Sequence, residues 1–250
     1  MTGTSPSSSD CLLEAKNLRV RYPNGALGVL DVSFAASDAQ VIALFGANGA
    51  GKTTSVRAVS GFLRNEGART IGGEVLFDGH RLTNAEPHRQ AKLGIFFIPE
   101  RNKVFGNLSV AENLAAMGRP ARGPRRRELQ EFAFTLFPIL AERRRQAAGR
   151  LSGGQRQMLA LARGILSDPR LLIVDEMTLG LHHSLHPPLF EAVRSIAKQG
   201  TTVVLVDEST SFALSVADRC YVLANGVVRK DGLASEFDGT DLVAAGYTDG

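Results

Sequence analysis

The chain has 250 residues, 44% of them hydrophobic and 22% charged, with a formal net charge of +4. That is enough apolar material for one full globular core, and so mild a basic excess does not demand nucleic acid. The two cysteines, Cys11 and Cys220, have no metal or redox spacing, so a reducing compartment is the simplest expectation.

Residues 1–10, MTGTSPSSSD, carry neither a basic start nor an apolar run, and are expected to be a disordered lead-in rather than a signal peptide. The longest apolar runs, such as LLIV at 171–174 and VVLV at 203–206, are far too short to span a bilayer. Any link to a membrane would pass through a partner. No repeat with a period of about 20 to 50 residues is present.

Val41 to Phe45 is apolar without alternation, which is what a strand covered on both faces requires. It runs into Gly46, Ala47, Asn48, Gly49, Ala50, Gly51, Lys52, Thr53 and Thr54, a glycine-rich loop that should open a helix near Lys52. The spacing Gly-x-x-x-x-Gly-Lys-Thr is that of a phosphate-binding loop. Backbone N–H groups would cradle the phosphates of a nucleotide, Lys52 would reach the outer two, and Thr53 would offer its hydroxyl to Mg²⁺. A chance glycine-rich turn is the plain alternative, and the strand before and helix after argue against it.

Further on, GGEVLFDG at 72–79 reads as a strand followed by an Asp-Gly turn. Two arginine clusters, at 119–128 and 142–145, flank a segment in which Leu129, Phe132, Ala133, Leu136, Phe137 and Leu140 share one helical face. Without interleaved aromatic residues they read as a solvated rim, or as neighbours of anionic lipid headgroups, in preference to a nucleic-acid surface.

At 150–166, RLSGGQRQMLALARGIL sets a serine and two glycines before a strongly periodic helix. This is the build of a second anion-holding loop, without a lysine. LLIVDE at 171–176 is another continuous apolar strand, ending in two acids. Ligands in doubly wound sheets sit beyond the carboxyl ends of strands. Asp175 is therefore expected to hold Mg²⁺ and Glu176 to polarise an attacking water, although strand-ending acids also occur at ordinary surface turns. His182, His183 and His186 lack a helix-borne carboxylate, and Pro187-Pro188 should interrupt any long helix there, so no metal is expected on them. A strand at 203–206, a hairpin turn at Asn225-Gly226, and a short final helix with a loose tail after 232 close the chain.

The order of these motifs resembles the ATP-binding cassette (ABC) ATPases over about residues 11 to 232. Gly46–Thr53 is similar to the Walker A loop, Leu171–Glu176 to the Walker B strand, and Leu151-Ser152-Gly153-Gly154-Gln155 to the family signature. The resemblance implies an α/β fold: a P-loop NTPase core with a small antiparallel β subdomain near 11–40 and 68–80 and a helical subdomain at about 94–160. The cassette would occupy 11–235, with 236–250 as a tail. It also implies a head-to-tail dimer in which the signature of one subunit contacts the γ-phosphate held by the other. That gives the second loop its purpose: serine and backbone donors suffice for a phosphate already gripped by lysine and metal. Tyr22 matches the aromatic that stacks on adenine.

Three departures narrow the resemblance. The position of the usual loop glutamine holds Glu100, which joins Thr53 and Asp175 as an expected Mg²⁺ residue. The position of the switch histidine holds Glu208. The stretch after Glu176 reads MTLGL, without the common proline. These features are similar to the second ATPase of importers for branched-chain amino acids and related amides. The implied partners are a second ABC ATPase subunit, as homodimer or heterodimer, membrane permease subunits and an external solute-binding protein, with no nucleic acid. The implied location is the cytoplasmic face of the membrane. A soluble cassette acting on nucleic acid or ribosomes would be expected to show tandem cassettes or a coiled-coil insert, and heptads are absent between 54 and 150. A low-turnover regulatory subunit is the third reading, motivated by Glu208.

Overall fold

The computed structural model describes residues 11–116, 121–207 and 210–237. The notable expectations at 1–10, at Glu208 and at 238–250 lie outside the described residues. Strands β1 (Cys11–Arg21) and β2 (Leu27–Ser37) precede β3 (Val41–Phe45) and helix α1 (Lys52–Ser60). Next come β4 (Arg69–Phe77), the two-residue β5 (His80–Arg81), α2 (Pro87–Lys92) and β6 (Ile95–Ile98). Four helices follow: α3 (Val110–Ala115), α4 (Gly123–Leu136), α5 (Pro138–Glu142) and α6 (Gly153–Leu166). The chain then alternates through β7 (Leu171–Asp175), α7 (His186–Lys198), β8 (Thr202–Val206) and α8 (Thr210–Val216), and ends with β9 (Arg219–Ala224) and β10 (Val227–Leu233).

The described strands form one sheet in the order β5-β4-β1-β2-β10-β9-β3-β8-β7-β6. Strands β3, β7 and β8 are buried at every residue, as their unbroken apolar sequences require, and they pair in parallel. Alternate residues of β3 serve opposite faces: Val41, Ala43 and Phe45 join one core, with the inward faces of α4 to α8, while Ile42 and Leu44 join the other, with α1 and the antiparallel strands. The antiparallel end, β1 with β2 and β4, meets this sheet through only one residue pair, Val227 with Asp31.

So narrow a seam needs other ties. Tyr221 on β9 accepts from the Ala35 N–H and donates to the Ala35 carbonyl, both at 3.0 Å, while its ring packs edge-on against Phe34. The Asn225-Gly226 hairpin turn is a second tie. Both residues have positive φ, 52° and 75°, as a tight two-residue turn between twisted strands demands. The Gly226 carbonyl accepts from the N–H groups of Leu30 and Asp31, and its own N–H donates to the Ala50 carbonyl in the glycine-rich loop.

Three expectations need correction. The segment from 94 does not open a helical insertion, because Ile95–Ile98 is a core strand pairing in parallel with β7; helices begin only at Val110, and α6 continues to Leu166. The apolar face from Leu129 to Leu140 is carried by two helices, since Pro138 cannot continue α4 and instead starts α5. Its burial survives the break: Leu129, Ala133, Phe137 and Leu140 all enter the core. Likewise Pro187 and Pro188 occupy the first turn of α7, where a missing N–H costs nothing, so they initiate a helix that they were expected to interrupt. Among the described residues after 232, Ala234–Glu236 form a 3-10 turn.

Tyr221→Phe removes both bonds to Ala35 with little change of shape. It should lower stability by about 1–2 kcal/mol, read as a lower denaturant midpoint with an unchanged slope.

Candidate nucleotide site

The end of β3 delivers the glycine-rich loop. Gly46 has φ 149°, and a Cβ there would lie 2.3 Å from the Leu223 carbonyl oxygen, so no side chain fits. Gly51, also at positive φ, caps α1 without a side-chain hydrogen bond, which leaves the first N–H groups of α1 free of any side-chain cap. Lys52 is buried and curls back, its Nζ donating to the carbonyls of Gly46 and, at 3.4 Å, Ala47. A cavity of about 470 Å³ opens over this loop. It is lined by residues 47–54 together with Gly28, Glu100, Glu176 and Leu179.

Asp175, which ends β7, and Glu176, which follows it, both lie against this loop. The Thr53 hydroxyl donates to Asp175 Oδ1 at 3.0 Å, while Oδ2 is buried without a hydrogen-bond partner. Burial pushes the Asp175 carboxyl up to about 6, against the opposing effects of the Thr53 bond and of the Arg57 and Lys52 charges. Glu176 is buried and adopts φ 50°, a left-handed conformation that costs a non-glycine residue about 1–2 kcal/mol. Its N–H donates to the Val206 carbonyl at 2.8 Å, which holds the turn against the end of β8. Glu100, two residues beyond β6, sits at the rim and pairs with Arg101 at 3.1 Å.

The other expected residues divide. The Tyr22 hydroxyl lies 2.9 Å from Thr54 Oγ1 and its ring is pressed against Gly28, so Tyr22 flanks the loop without being among the residues that line the cavity. The signature lies apart from this cavity. Ser152 caps α6 in a reciprocal box: its Oγ accepts from the Gln155 N–H at 3.3 Å, and Gln155 Oε1 accepts from the Ser152 N–H at 3.1 Å. Leu151 is buried, Ser152 and Gly153 are exposed, and a Cβ on Gly154 would come within 2.5 Å of Leu185. His182 caps a 3-10 turn, its Nδ1 accepting from the Ser184 N–H.

Two residues escaped the sequence reading. Lys103 Nζ donates to Gln157 on α6, and burial pushes its ammonium below the usual lysine range despite the pull of Glu100, Asp175, Asp207 and Glu176. Asp207, at the end of β8, is fully buried and bonded to Thr178. Nothing local marks either of them. A lysine in a loop and an acid after a strand are commonplace until the fold supplies their neighbours.

Comparison with known proteins agrees with this geometry. Residues 29–179, which include both the glycine-rich loop and the β7 acids, match the ABC transporter family. The chain is 36% identical over 196 residues to the high-affinity branched-chain amino acid transport ATP-binding protein BraG of Pseudomonas aeruginosa, covering 78% of this chain and 82% of that protein. It is 27% identical over 239 residues to the lipopolysaccharide export system ATP-binding protein LptB of Haemophilus influenzae, covering 94% and 96%. A solved ATP-binding subunit of an ABC transporter superposes with a TM-score of 0.80 at 24% identity, over 94% of this chain and 100% of that one, and supports the fold. The chain belongs to the ABC transporter family, as one of its ATP-binding ATPase subunits.

Proposed function

We propose that this ATPase drives solute import through a membrane permease, pairing with a second cassette that closes over ATP, and that its solutes are branched-chain amino acids or related amides. The observation that carries the catalytic part is one cavity at the strand ends lined by Lys52, Thr53 and Glu176, with Asp175 buried behind it and bonded to Thr53. Support for the solute class is the 36% identity to BraG, against 27% to the export subunit.

In this reading Lys52 exchanges its loop carbonyls for phosphate oxygens, and the N–H groups at the start of α1 hold the same charge. Glu176 orients and polarises the attacking water. Ser152 and Gly153, exposed and outside this chain's own cavity, donate to the γ-phosphate of the neighbouring subunit. Tyr22 stacks on the adenine. Mg²⁺ fits beside Asp175, whose bare Oδ2 and Thr53-bound Oδ1 form a corner suited to a hard cation, with Glu100 at the rim. Such an ion would neutralise phosphate charge during transfer.

Glu208 stands where a switch histidine would donate a hydrogen bond, and an ionised carboxylate cannot donate. That favours a heterodimer with a sibling cassette that keeps the histidine. A peripheral place on the cytoplasmic face, an external solute-binding protein and no nucleic-acid partner complete the proposal; no helix among the described residues is long and apolar enough to cross a membrane.

The test is reconstitution with the permease subunits in vesicles. ATP should drive labelled leucine toward the side of the ATPase. Glu176→Gln should keep ATP affinity and lose at least about 100-fold in turnover, with transport lost in parallel. Movement in the opposite direction would replace import by export, and unchanged turnover in the variant would remove Glu176 from the chemistry.

Ser152→Arg should leave ATP affinity of the single subunit unchanged, because Ser152 lies outside its cavity, and should abolish ATP-induced dimerisation on size exclusion. Loss of ATP binding by the subunit itself would contradict the role in trans.

Asp175 sets a pH dependence. Its folded value of about 6 exceeds the ordinary 3.8, so the folded protein keeps a proton that the unfolded chain releases within that window. Stability therefore falls as pH rises from about 4 to 6, by about 3 kcal/mol in all if nothing else changes. Asp175→Asn should be more stable than the parent at pH 8, with the gap closing below about pH 4, and should lose the extra thermal stabilisation given by Mg²⁺ with ATP. Melting curves across pH, with and without Mg²⁺, measure both.

A further inference from the structure

Beyond β7 the chain must turn sharply while keeping the Glu176 carboxylate at the cavity, and it does so through a left-handed residue. Something has to hold that conformation. One anchor is the backbone bond from the Glu176 N–H to Val206. The second lies two residues further on, where Thr178 N–H donates to Asp207 Oδ2 at 3.0 Å and Thr178 Oγ1 donates to Asp207 Oδ1 at 2.6 Å. Between the anchors Met177 is wholly buried in the core, so the segment is fixed at both ends and in the middle.

Asp207 is fully buried and is not among the residues that line the cavity. A carboxylate placed in the interior must accept hydrogen bonds there, and two bonds to one residue fix direction as well as distance. This chain also has methionine at 177, where proline would restrict the backbone by itself.

We infer that Asp207 is a positioning residue for the hydrolysis: through Thr178 it locks the turn that aims Glu176, and so ties the end of β8 to the catalytic carboxylate. The inference rests on the proposed role of Glu176. Asp207 touches no reacting atom in it. Its effect falls on the placement of a base, where a displacement of about 1 Å costs of the order of 100-fold in rate.

Thr178→Val removes the hydroxyl and keeps the shape; Thr178→Ser keeps the hydroxyl. In the complete complex, Thr178→Val should lower kcat by about 100-fold with KM for ATP unchanged, and Thr178→Ser should restore kcat. A bond that merely supported folding would lower the melting temperature and the yield of active protein without that split. Wild-type kcat in folded Thr178→Val would overturn the inference. Amide hydrogen exchange on the wild-type protein gives a second measure that needs no variant. The amides of Glu176 and Thr178 should be protected as strongly as those of β8, and exchange at open-loop rates would overturn the clamp. If the wild-type complex showed no hydrolysis, the role of Glu176 would fall with it, and the exchange result would still decide whether Asp207 fixes the turn.

Discussion

Asp175 is a buried carboxyl with one oxygen bonded and the other bare, and much of the molecule is arranged around that imbalance. Its position follows from the sheet. A strand buried on both faces must end where the layers of helices end, and its last residue, Asp175, lies fully buried behind the Thr53 hydroxyl that lines the cavity. Desolvation works against the charged form, and the Thr53 hydroxyl with the Arg57 and Lys52 charges only partly offsets it. The corner is therefore poised for added positive charge. Stability is given up locally at the place where binding recovers it.

The surrounding architecture keeps this corner from relaxing. Parallel strands deliver the glycine-rich loop, Glu100 and the two β7 acids from neighbouring or nearby positions in one sheet. The antiparallel strands pair with that sheet at a single backbone position, and Tyr221 and the Gly226 turn reinforce the apolar core that the two share. Because the Gly226 N–H reaches the Ala50 carbonyl, the same turn that joins the two halves also braces the loop over which the cavity opens.

What could be read from the sequence was whatever is encoded in contiguous residues. The unbroken apolar runs of β3, β7 and β8, the glycine spacing before Lys52 and the serine ahead of α6 each carry their own reason. The short run Ile95–Ile98 was absorbed into a helical insertion, since four apolar residues do not distinguish strand from helix. Pro138 falls unmarked within one apolar helical face and Pro187 reads as a break, yet each lies in the first turn of a helix. The polar contacts around the site were invisible for a different reason: Thr178 and Asp207 are 29 residues apart, and Lys103 and Gln157 are 54 apart. Such pairs exist only once the sheet order is known.

The reciprocal cap on α6 makes Ser152 answer to two demands at once. Its oxygen receives the Gln155 N–H and so starts the helix, while its own proton is left to point elsewhere. Any replacement is therefore judged twice. Aspartate would start the helix as well as serine does but would bring an anion with no proton to give, whereas alanine would remove both functions and confuse their loss. Among the common capping residues threonine keeps the acceptor and the hydrogen on one atom, whereas asparagine divides them between its oxygen and its nitrogen. The narrowness of the choice at this position is thus set jointly by the folding of one helix and by the charge of whatever approaches its end.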